Sequence, residues 1–291
     1  MKLFFTPSTE HLKRSFSAHG CDLGAYEFYT FADGERGYRL KDEVRGKGVA
    51  IVASVLPYPA SLFDLMALHH LVRENKARKT TLVIPYLGYA RQDRPSRPGE
   101  GSLGIMVLEL IQKMAPSRLL FFDVHSHLIR KALRGPATEL SALPLFAQAF
   151  SKDPPEVIVS PDAGFVPRAK ELAELLDPHP EVAVIEKVRP RPNIAIAKKL
   201  HGDVKGKKVV LVDDIIDTGG TLAEGIKVVS EKGARSIGLA ATHGLFSGHA
   251  RQRLSRLPVK EILITNTLPQ IRYPKFRILD ITPLLLKALR P

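Results

Sequence analysis

The sequence predicts an α/β protein whose sheets are mainly parallel. Apolar runs rich in valine, isoleucine and leucine recur along the chain, and polar loops follow them. Segments with apolar residues at helical spacing lie between these runs. Regular alternation of this kind is typical of parallel sheets, in which ligands bind beyond the carboxyl ends of the strands. We therefore expect the functional residues to lie in polar motifs at strand ends.

Eight strands and five helices are predicted. The strands lie near residues 48–55, 80–87, 118–125, 156–162, 182–188, 207–214, 236–243 and 261–268. The helices lie near residues 10–19, 61–77, 103–113, 165–176 and 221–232. The pattern breaks around residues 135–145, and a chain of 291 residues suits two domains of about 150 residues each. We therefore expect one domain over residues 1–142 and another over residues 143–291.

The composition is that of a globular protein in a reducing compartment. Hydrophobic residues make up 44% of the chain, and the single cysteine, Cys21, excludes an internal disulfide. No apolar run reaches the ~18 residues that a membrane span needs. The first residues are too short an apolar stretch for a signal peptide. The expectation is a cytoplasmic protein that does not bind membranes.

The formal net charge of +13 admits two kinds of partner. Phosphate backbones of nucleic acids bind lysine- and arginine-rich surfaces, but small phosphorylated substrates account for the charge equally well. The charged fraction of 25% is ordinary, tryptophan is absent, and the sequence has no zinc-finger spacing. Composition therefore favours small anionic ligands over nucleic acid.

The most informative stretch runs from residue 207 to residue 232. Its first part, Val209 and the residues after it, predicts a buried strand, and its last part predicts an amphipathic helix. Thr221 and Glu224 have the spacing of a capping box, and Gly233 can end the helix. A loop with three carboxylates and two glycines is thus held between a strand end and a helix start.

This loop has the features of a phosphate site. The N-terminus of a helix presents N–H groups and the positive end of the helix dipole, which together bind phosphate. Gly219 and Gly220 allow the backbone to approach an anion closely, and Thr218 and Thr221 offer hydroxyl groups. The five residues that begin with Asp217 therefore predict a phosphate cradle.

Two further acids, Asp213 and Asp214, precede the cradle. Carboxylates accept hydrogen bonds from neighbouring sugar hydroxyls, and they can hold Mg²⁺ beside a diphosphate. Structural aspartates that only cap the helix are the alternative. Three carboxylates within five residues repel one another, however, and that repulsion favours a bound ligand or metal. A sugar phosphate would satisfy both halves of the loop.

The stretch closely resembles the ribose-phosphate loop of the phosphoribosyltransferase superfamily, and in detail that of ribose-phosphate pyrophosphokinases (PRPP synthases). The resemblance of this sequence to the family covers nearly the whole chain. It implies two phosphoribosyltransferase type I-like domains, each a mainly parallel sheet flanked by helices. It also implies that the loop binds ribose 5-phosphate through Asp213, Asp214, Asp217, Thr218, Gly219, Gly220 and Thr221.

Residues 31–35, FADGE, form an acidic turn with one aromatic residue, for which a structural role is the alternative. The segment resembles the nucleotide-binding FSDGE of the family. The resemblance implies that Phe31 stacks on adenine and that Asp33 and Glu35 help to recognise it. In the family this arm reaches a neighbouring subunit, which implies a homodimer or a higher homo-oligomer.

Residues 85–93, PYLGYARQD, follow a predicted strand and end in a polar loop. The guanidinium of Arg91 can clamp phosphate, and the amide of Gln92 can recognise a purine edge. The motif resembles the PYFGYARQD of the family and differs from it at Leu87. The resemblance assigns Arg91 and Gln92 to ATP.

Residues 121–127, FFDVHSH, carry an acid and two histidines at a predicted strand end. Zinc is one interpretation, but no third nitrogen or sulfur ligand is near, and hydrogen-bonded histidines are the structural alternative. Along a strand, the rings of His125 and His127 would share one face. The segment resembles the DLHA of the family, which implies that His125 is a ligand on the Mg–ATP side. His127 departs from the family pattern.

Two motifs complete the resemblance. SPDAG, residues 160–164, is similar to the SPDxGG of the family, with Phe165 at the usual second glycine, and it implies that Asp162 binds a metal on the sugar-phosphate side. The implied cofactor is Mg²⁺. EKVRPRPN, residues 186–193, resembles the catalytic loop DKRRPxxN. Lys187 and Arg189 are kept and are the expected catalytic residues, whereas Glu186 and Val188 depart from the pattern.

The implied activity is that of a ribose-phosphate diphosphokinase. It transfers diphosphate from ATP to C1 of ribose 5-phosphate and gives PRPP and AMP. A catalytically silent regulatory homologue is the main alternative, and the retained catalytic motifs argue against it. A phosphoribosyltransferase that consumes PRPP would not need the ATP motifs, and a nucleic-acid-binding protein is a third alternative.

Overall fold

A computed structural model describes residues 1–188 and 197–290, and at residues 187, 188, 197 and 198 it describes the backbone alone. The chain forms two compact units. The first comprises Met1–Leu140, Thr267–Pro269 and Thr282–Pro291, and the second comprises Ser141–Asn266 and Gln270–Ile281. The C-terminal segment therefore returns to the unit that the N-terminus begins. A functional division at residue 142 stays a prediction.

The first unit contains a five-stranded sheet and a separate hairpin. The sheet strands are β1 (Lys2–Phe5), β4 (Gly48–Val52), β5 (Lys79–Ile84), β6 (Arg118–Phe122) and β7 (Ala137–Leu140), in that order across the sheet. All neighbours in this sheet are parallel. The hairpin consists of the antiparallel strands β2 (Tyr26–Thr30) and β3 (Arg36–Leu40).

Five helices belong to the first unit. They are α1 (Lys13–Ala18), which follows a 3₁₀ turn at Pro7–Leu12, then α2 (Pro59–Glu74), α3 (Leu103–Lys113), α4 (His127–Ala132) and α9 (Thr282–Leu289). Leu65 and Leu68 of α2 and Leu108 of α3 pack on Ile51 and Leu82 of the sheet, and all five side chains are fully buried. Each such side chain contributes roughly 1.5–3 kcal/mol relative to leaving it exposed.

The second unit contains a seven-stranded sheet. Its strands are β8 (Val157–Ser160), β9 (Glu181–Val188), β10 (Ala197–His201), β11 (Lys208–Ile216), β12 (Ser236–Gly244), β13 (Ile262–Thr265) and β14 (Phe276–Leu279). They lie in the order β10-β9-β8-β11-β12-β13-β14. β9 and β10 are antiparallel, and the other neighbours are parallel. The central strand, β11, is flanked by β8 and β12.

Helices cover both faces of this second sheet. They are α5 (Leu143–Phe150), α6 (Val166–Glu174), α7 (Gly220–Glu231) and α8 (Ala250–Ser255). Val209 and Leu211 of β11 pack in the cluster that contains α7 and α8. Val210 and Val212 pack in the cluster that contains α5 and α6. This alternation explains why β11 is apolar throughout its buried part.

The predicted fold class is confirmed, and all eight predicted strands and five predicted helices have counterparts. Three local predictions are wrong. Residues 135–145 do not interrupt the pattern, because they include β7 and the start of α5. His125 and His127 do not share a strand face, because β6 ends at Phe122 and His127 begins α4. The capping box at Thr221 is wrong too, since α7 begins after Gly219.

None of the helices within the described ranges is long and apolar enough to cross a bilayer.

Candidate active site

In the second unit, the acidic motifs lie at one edge of the sheet. β8 and β11 are parallel neighbours, with Val209 paired to Val157 and Leu211 to Val159. Asp162 lies two residues beyond the end of β8, and Asp213 lies in the last part of β11. Because the carboxyl ends of parallel strands share an edge, the structure brings these two predicted site residues together.

Asp213 and Asp214 form a crowded pair of carboxylates. Both residues are half-buried, and the Asp214 N–H donates to Asp213 Oδ1 at 2.9 Å. Burial raises the pKa of the Asp213 carboxyl well above its ordinary value, the charge of Asp214 raises it further, and Asp162 adds to the effect. Hydroxyl donors or a cation placed here would relieve this repulsion. Vicinal sugar hydroxyls are donors of that kind.

The loop after β11 turns directly into α7. Gly219 is the N-cap of the helix in the left-handed conformation, with φ +71°, and no side chain caps the helix. Glycine adopts this conformation without the steric cost that other residues incur. Thr221 is therefore inside the first turn of the helix. A helix start that follows the carboxyl end of a parallel strand is a common site for a bound anion.

Asp217 and Thr218 connect the acidic pair to this helix start. Asp217 is half-buried, whereas Thr218 and Thr221 are exposed. Gly220 is half-buried, and a Cβ added there would meet nothing closer than 3.8 Å. The hydroxyl-bearing residues of the cradle are therefore exposed, where a ligand can reach them.

Asp162 is exposed and shapes its own loop. Its Oδ1 accepts hydrogen bonds from the N–H groups of Gly164, at 2.9 Å, and Phe165, at 3.2 Å, and it caps a 3₁₀ turn at Ala163–Phe165. The phenylalanine that replaces the usual glycine of the family packs, half-buried, against the cluster that contains α5 and α6. The departure at Phe165 is thus accommodated by the core of the second unit.

The predicted catalytic residues lie at the margin of what the structure describes. The backbone of Lys187 belongs to β9 and pairs with that of Lys198 in β10. Its side chain is outside the described part, and Arg189 lies outside the described residues altogether. The backbone of Lys187 therefore lies near the end of β9, in the antiparallel strand pair at the edge of the sheet.

In the first unit, the residues assigned to ATP follow neighbouring strands. Arg91 and Gln92 follow β5, and His125 follows β6, which is the parallel neighbour of β5. All three are exposed. Arg91 and Gln92 line a cavity of about 380 Å³. The structure therefore places these residues at one sheet edge, in the arrangement that α/β ligand sites use.

A hydrogen bond that the sequence did not suggest joins the two loops. Ser126 Oγ donates to Asp93 Oδ2 at 2.6 Å and accepts from the N–H groups of Leu128 and Ile129 at 3.0 and 3.2 Å. Ser126 is 3% exposed and is the N-cap of α4. The serine immediately before an apolar helical pattern is a cap signal that could have located it.

The FADGE segment forms the tip of the β2–β3 hairpin. Phe31 is 50% exposed and contacts Tyr29 with ring centroids 5.1 Å apart. The Glu35 N–H donates to Asp33 Oδ1 at 3.0 Å, which fixes the turn. Beside the turn, at the start of β3, Arg36 donates to Asp64 of α2 at 2.7 Å. The hairpin thus presents an aromatic ring and two acids to solvent.

The described residues fit a metal that arrives with its substrate better than a metal held by protein alone. Among them, no group of three or more histidine, cysteine, aspartate or glutamate side chains is placed to hold an ion. Mg²⁺ is commonly bound by one or two carboxylates together with substrate phosphates and water. The exposed carboxylate of Asp162 fits that chemistry. The imidazole of His125 fits it less well, because nitrogen ligands suit other metals.

Comparison with protein families gives two matches. Residues 1–114 match the family described as the N-terminal domain of ribose phosphate pyrophosphokinase. Residues 156–291 match the phosphoribosyl synthetase-associated domain. Together the two matches include β1, β4 and β5 of the first sheet and all seven strands of the second.

Individual relatives match most or nearly all of the chain. The ribose-phosphate pyrophosphokinase of Aquifex aeolicus is 36% identical over 267 residues, which are 90% of this chain and 85% of that protein. The enzyme of the same name from Caldanaerobacter subterraneus is 36% identical over 297 residues, which are 99% of this chain and 93% of that protein. The crystal structure of phosphoribosylpyrophosphate synthetase from Mycobacterium smegmatis superposes with a TM-score of 0.89 at 31% identity, and the match covers 99% of this chain and 96% of that one.

Proposed function

The chain belongs to the ribose-phosphate pyrophosphokinase family and is an enzyme that makes PRPP, and we propose that it does so from ATP and ribose 5-phosphate with Mg²⁺. The observation that carries this proposal is the run from β11 into α7. It joins a crowded acid pair to a left-handed glycine and a helix N-terminus. Such a run has groups for a sugar and groups for a phosphate, side by side.

The sugar phosphate binds in the second unit. Backbone N–H groups at the start of α7 and the hydroxyls of Thr218 and Thr221 hold the 5-phosphate. Asp213 and Asp214 accept hydrogen bonds from the ribose hydroxyls, which supply donors to this crowded pair of carboxylates. The anomeric hydroxyl then points away from the cradle, toward the transferred group.

The nucleotide binds through the first unit. Arg91 clamps ATP phosphate and Gln92 contacts the base, whereas Phe31 at the hairpin tip stacks on adenine. Asp33 and Glu35 accept hydrogen bonds from the exocyclic amine of adenine. The exposed aromatic rings of this hairpin also suit contact with a second copy of the chain, which supports a homodimer or a higher homo-oligomer.

The reaction transfers an intact diphosphate. The C1 hydroxyl oxygen of ribose 5-phosphate forms a bond to the β-phosphorus of ATP, and the bond from that phosphorus to the oxygen shared with the α-phosphorus breaks. AMP leaves with the bridging oxygen, and the hydroxyl proton passes to solvent. Since the transition state is loose, alignment and charge neutralisation dominate catalysis. Lys187 and Arg189 supply positive charge to the transferred phosphoryl oxygens.

Mg²⁺ bound with the substrate phosphates would neutralise their charge. The resemblance implies that His125 would contact a metal on the ATP side and that Asp162 would contact one on the sugar-phosphate side. The regulatory alternative gains no support, because the relatives carry the name of the active enzyme.

A product assay tests the proposal. The chain is incubated with Mg²⁺, ribose 5-phosphate and ATP labelled at the γ-phosphorus, and products are separated by mass. We expect AMP and a labelled sugar diphosphate in equal amounts, with ribose in place of ribose 5-phosphate as the inactive control. Formation of ADP, or AMP formation that does not depend on the sugar phosphate, would contradict the proposal.

Lys187→Ala tests the catalytic assignment. Removing one electrostatic stabiliser of the transition state should lower kcat at least ~100-fold and leave the affinity for ribose 5-phosphate nearly unchanged. Lys199→Ala, which removes an exposed lysine from β10, is the matched control and should keep full turnover. Calorimetry that shows lost sugar binding with unaltered single-turnover chemistry would overturn the role of Lys187.

A further inference from the structure

The segment that follows β12 supports the phosphate loop from outside. The N–H groups of Leu245 and Phe246 both donate to the carbonyl oxygen of Ile216, at 2.9 and 3.1 Å. Ile216 is the last residue of β11, so these bonds fix the point at which the chain leaves the sheet. Helix α8 follows this segment a few residues later.

Helix α8 contacts the loop itself at two further points. Arg253 Nη1 donates to the carbonyl oxygen of Thr218 at 2.5 Å. Leu254 is fully buried against Gly219, since a Cβ added to that glycine would lie 3.2 to 3.4 Å from three carbon atoms of the leucine. The guanidinium also lies beside Gly220, with Nη1 at 4.0 Å from the position of an added Cβ.

The bond to Thr218 fixes one specific peptide plane. The carbonyl of Thr218 and the N–H of Gly219 belong to the same peptide group, and this peptide is trans. In a trans peptide the two groups point in opposite directions. A donor that holds the carbonyl toward α8 therefore holds the Gly219 N–H toward the opposite side, where the anion is expected.

This control matters because the next residue is a glycine. Glycine populates both signs of φ readily, so a peptide beside it can rotate and remove its N–H from a ligand. A positively charged donor on the carbonyl also polarises the peptide and makes its N–H a stronger donor. Arg253 can thus set both the direction and the strength of the first amide in the cradle.

We propose that Arg253 is a positioning residue for the 5-phosphate of ribose 5-phosphate, which orients the Thr218–Gly219 peptide so that the Gly219 N–H faces the anion. The inference rests on the proposed function, since it takes the cradle to be the sugar-phosphate site. Arg253 itself acts through the backbone. It lies 35 residues from Thr218 in the sequence, beyond every motif that marks the site.

Calorimetric titration with ribose 5-phosphate tests this role. Arg253→Met keeps the apolar stem and removes the donors, and we expect the affinity to fall about tenfold or more, as for loss of a charge-assisted hydrogen bond. Arg253→Lys retains a charged donor and should restore binding to within about threefold of the original. In steady-state assays, Arg253→Met should raise KM for the sugar phosphate and leave kcat and KM for ATP almost unchanged.

The matched control is Arg256→Met, which removes an equal charge from the C-terminal end of the same helix, where the side chain is exposed. It should bind as the unaltered protein does. The titrations are repeated at about 0.1 M and 1 M salt, because salt screens exposed charges strongly at the higher concentration. A defect of Arg253→Met that persists at high salt supports the proposal, whereas one that disappears there, or that Arg256→Met shares, overturns it.

Two checks separate failure of the inference from other failures. If the unaltered chain does not bind ribose 5-phosphate, the proposed function is wrong; if it binds and Arg253→Met binds equally well, only the role of Arg253 is wrong. Arg253→Leu, which also lacks a donor, replaces the methionine variant if that variant does not show the cooperative unfolding of the original. Binding by Arg253→Leu equal to that of the original would also overturn the proposal.

Discussion

Asp213 is the residue at which stability and function oppose each other. Its carboxyl group is buried beside Asp214, and both effects raise its pKa well above the ordinary value. Because the pKa of this carboxyl is higher in the folded chain, the folded chain binds more protons than the unfolded chain at pH values above the unfolded pKa. The contribution to stability is therefore full below the unfolded pKa and is lost as pH rises through the folded pKa. At neutral pH the ligand-free protein is destabilised by this acid pair.

Asp213→Asn should reveal that opposition. The ligand-free variant should unfold at a higher temperature than the original near neutral pH, with a smaller loss of stability as pH rises from 4. Its affinity for ribose 5-phosphate should fall at least about tenfold, because a charged acceptor of a sugar hydroxyl is removed. Thermal unfolding and calorimetry measure both effects. Glu174→Gln, at an exposed position on α6, is the control that should change neither.

An unfolding temperature that falls in Asp213→Asn would mean that the carboxylate stabilises the ligand-free fold, and it would contradict this view of the acid pair.

His69 gives a second prediction at this scale, concerning the first unit. It is 2% exposed, its Nε2 lies 3.1 Å from Thr80 Oγ1, and burial lowers its pKa to about 4, with Arg73 as a smaller cause. The unfolded chain takes up this proton near pH 6.5, so stability is full above that pH and falls as pH drops toward 4. The loss is on the order of 3 kcal/mol for a shift of this size.

Denaturant unfolding at several pH values checks this prediction. His69→Gln should be less stable at neutral pH but should have a flatter dependence on pH between 6.5 and 4. His19→Gln, at an exposed position directly after α1, should keep the original dependence. Parallel pH curves for the original and His69→Gln would show that His69 does not titrate in the expected range.

Among the elements, the junction of β6 and α4 has a consequence for ATP binding. Ser126 caps α4 and also holds Asp93, which directly follows Arg91 and Gln92. Ser126→Ala should destabilise the fold by about 1 kcal/mol, as loss of an N-cap usually does. It should also raise KM for ATP several-fold while the affinity for ribose 5-phosphate stays unchanged.

Ser102→Ala is the matched control for this element. Ser102 occupies the N-cap position of α3, but its side chain makes no capping hydrogen bond there. Chemical denaturation and steady-state kinetics of the two variants should therefore differ. Equal stability and equal KM for ATP in both variants would show that the Ser126–Asp93 bond does not order the nucleotide loops.

The ends of strands and helices also show what could be predicted from the sequence. The strand predicted at 118–125 is too long because its apolar residues continue to Val124, while Asp123 adopts φ +33° and ends the strand earlier. Val124 is buried by tertiary packing, which periodicity cannot distinguish from strand burial. The four-residue strands β7 and β14 were not predicted, because neither is a buried apolar run.

The phosphate loop was predictable because its chemistry is contiguous in sequence. Three acids, two glycines and two threonines lie within nine residues that a strand and a helix enclose. The N-cap was assigned wrongly because a left-handed glycine can begin a helix without any side-chain signal. Arg253 and Ser126 escaped prediction because each acts on a loop more than thirty residues away.

For the whole molecule, the two units divide the proposed substrates. All residues assigned to ribose 5-phosphate belong to the second unit. The residues assigned to ATP, including Arg91, belong to the first. The assignment of ATP to the first unit came from the resemblance to known enzymes, because the strands and loops of neither sheet carry a standard nucleotide-binding motif. The net charge of +13 agrees with a molecule that binds two phosphorylated substrates, although charge alone did not exclude nucleic acid.

Hydrogen exchange with mass-spectrometric detection tests this division. Ribose 5-phosphate alone should slow exchange at residues 213–222, and a non-hydrolysable ATP analogue alone should slow it at residues 31–35 and 88–93. Helix α5, which carries no proposed ligand contact, is the internal reference. Protection of residues 213–222 by the nucleotide alone would contradict the assignment of substrates to units.

The most direct test of the central claim is a crystal structure of the chain with ribose 5-phosphate bound. We expect phosphate oxygens about 3 Å from the backbone nitrogens of Gly219, Gly220 and Thr221, and ribose hydroxyls within hydrogen-bond distance of Asp213 or Asp214. A sugar phosphate bound elsewhere, with these amides bonded to protein atoms, would contradict the central claim.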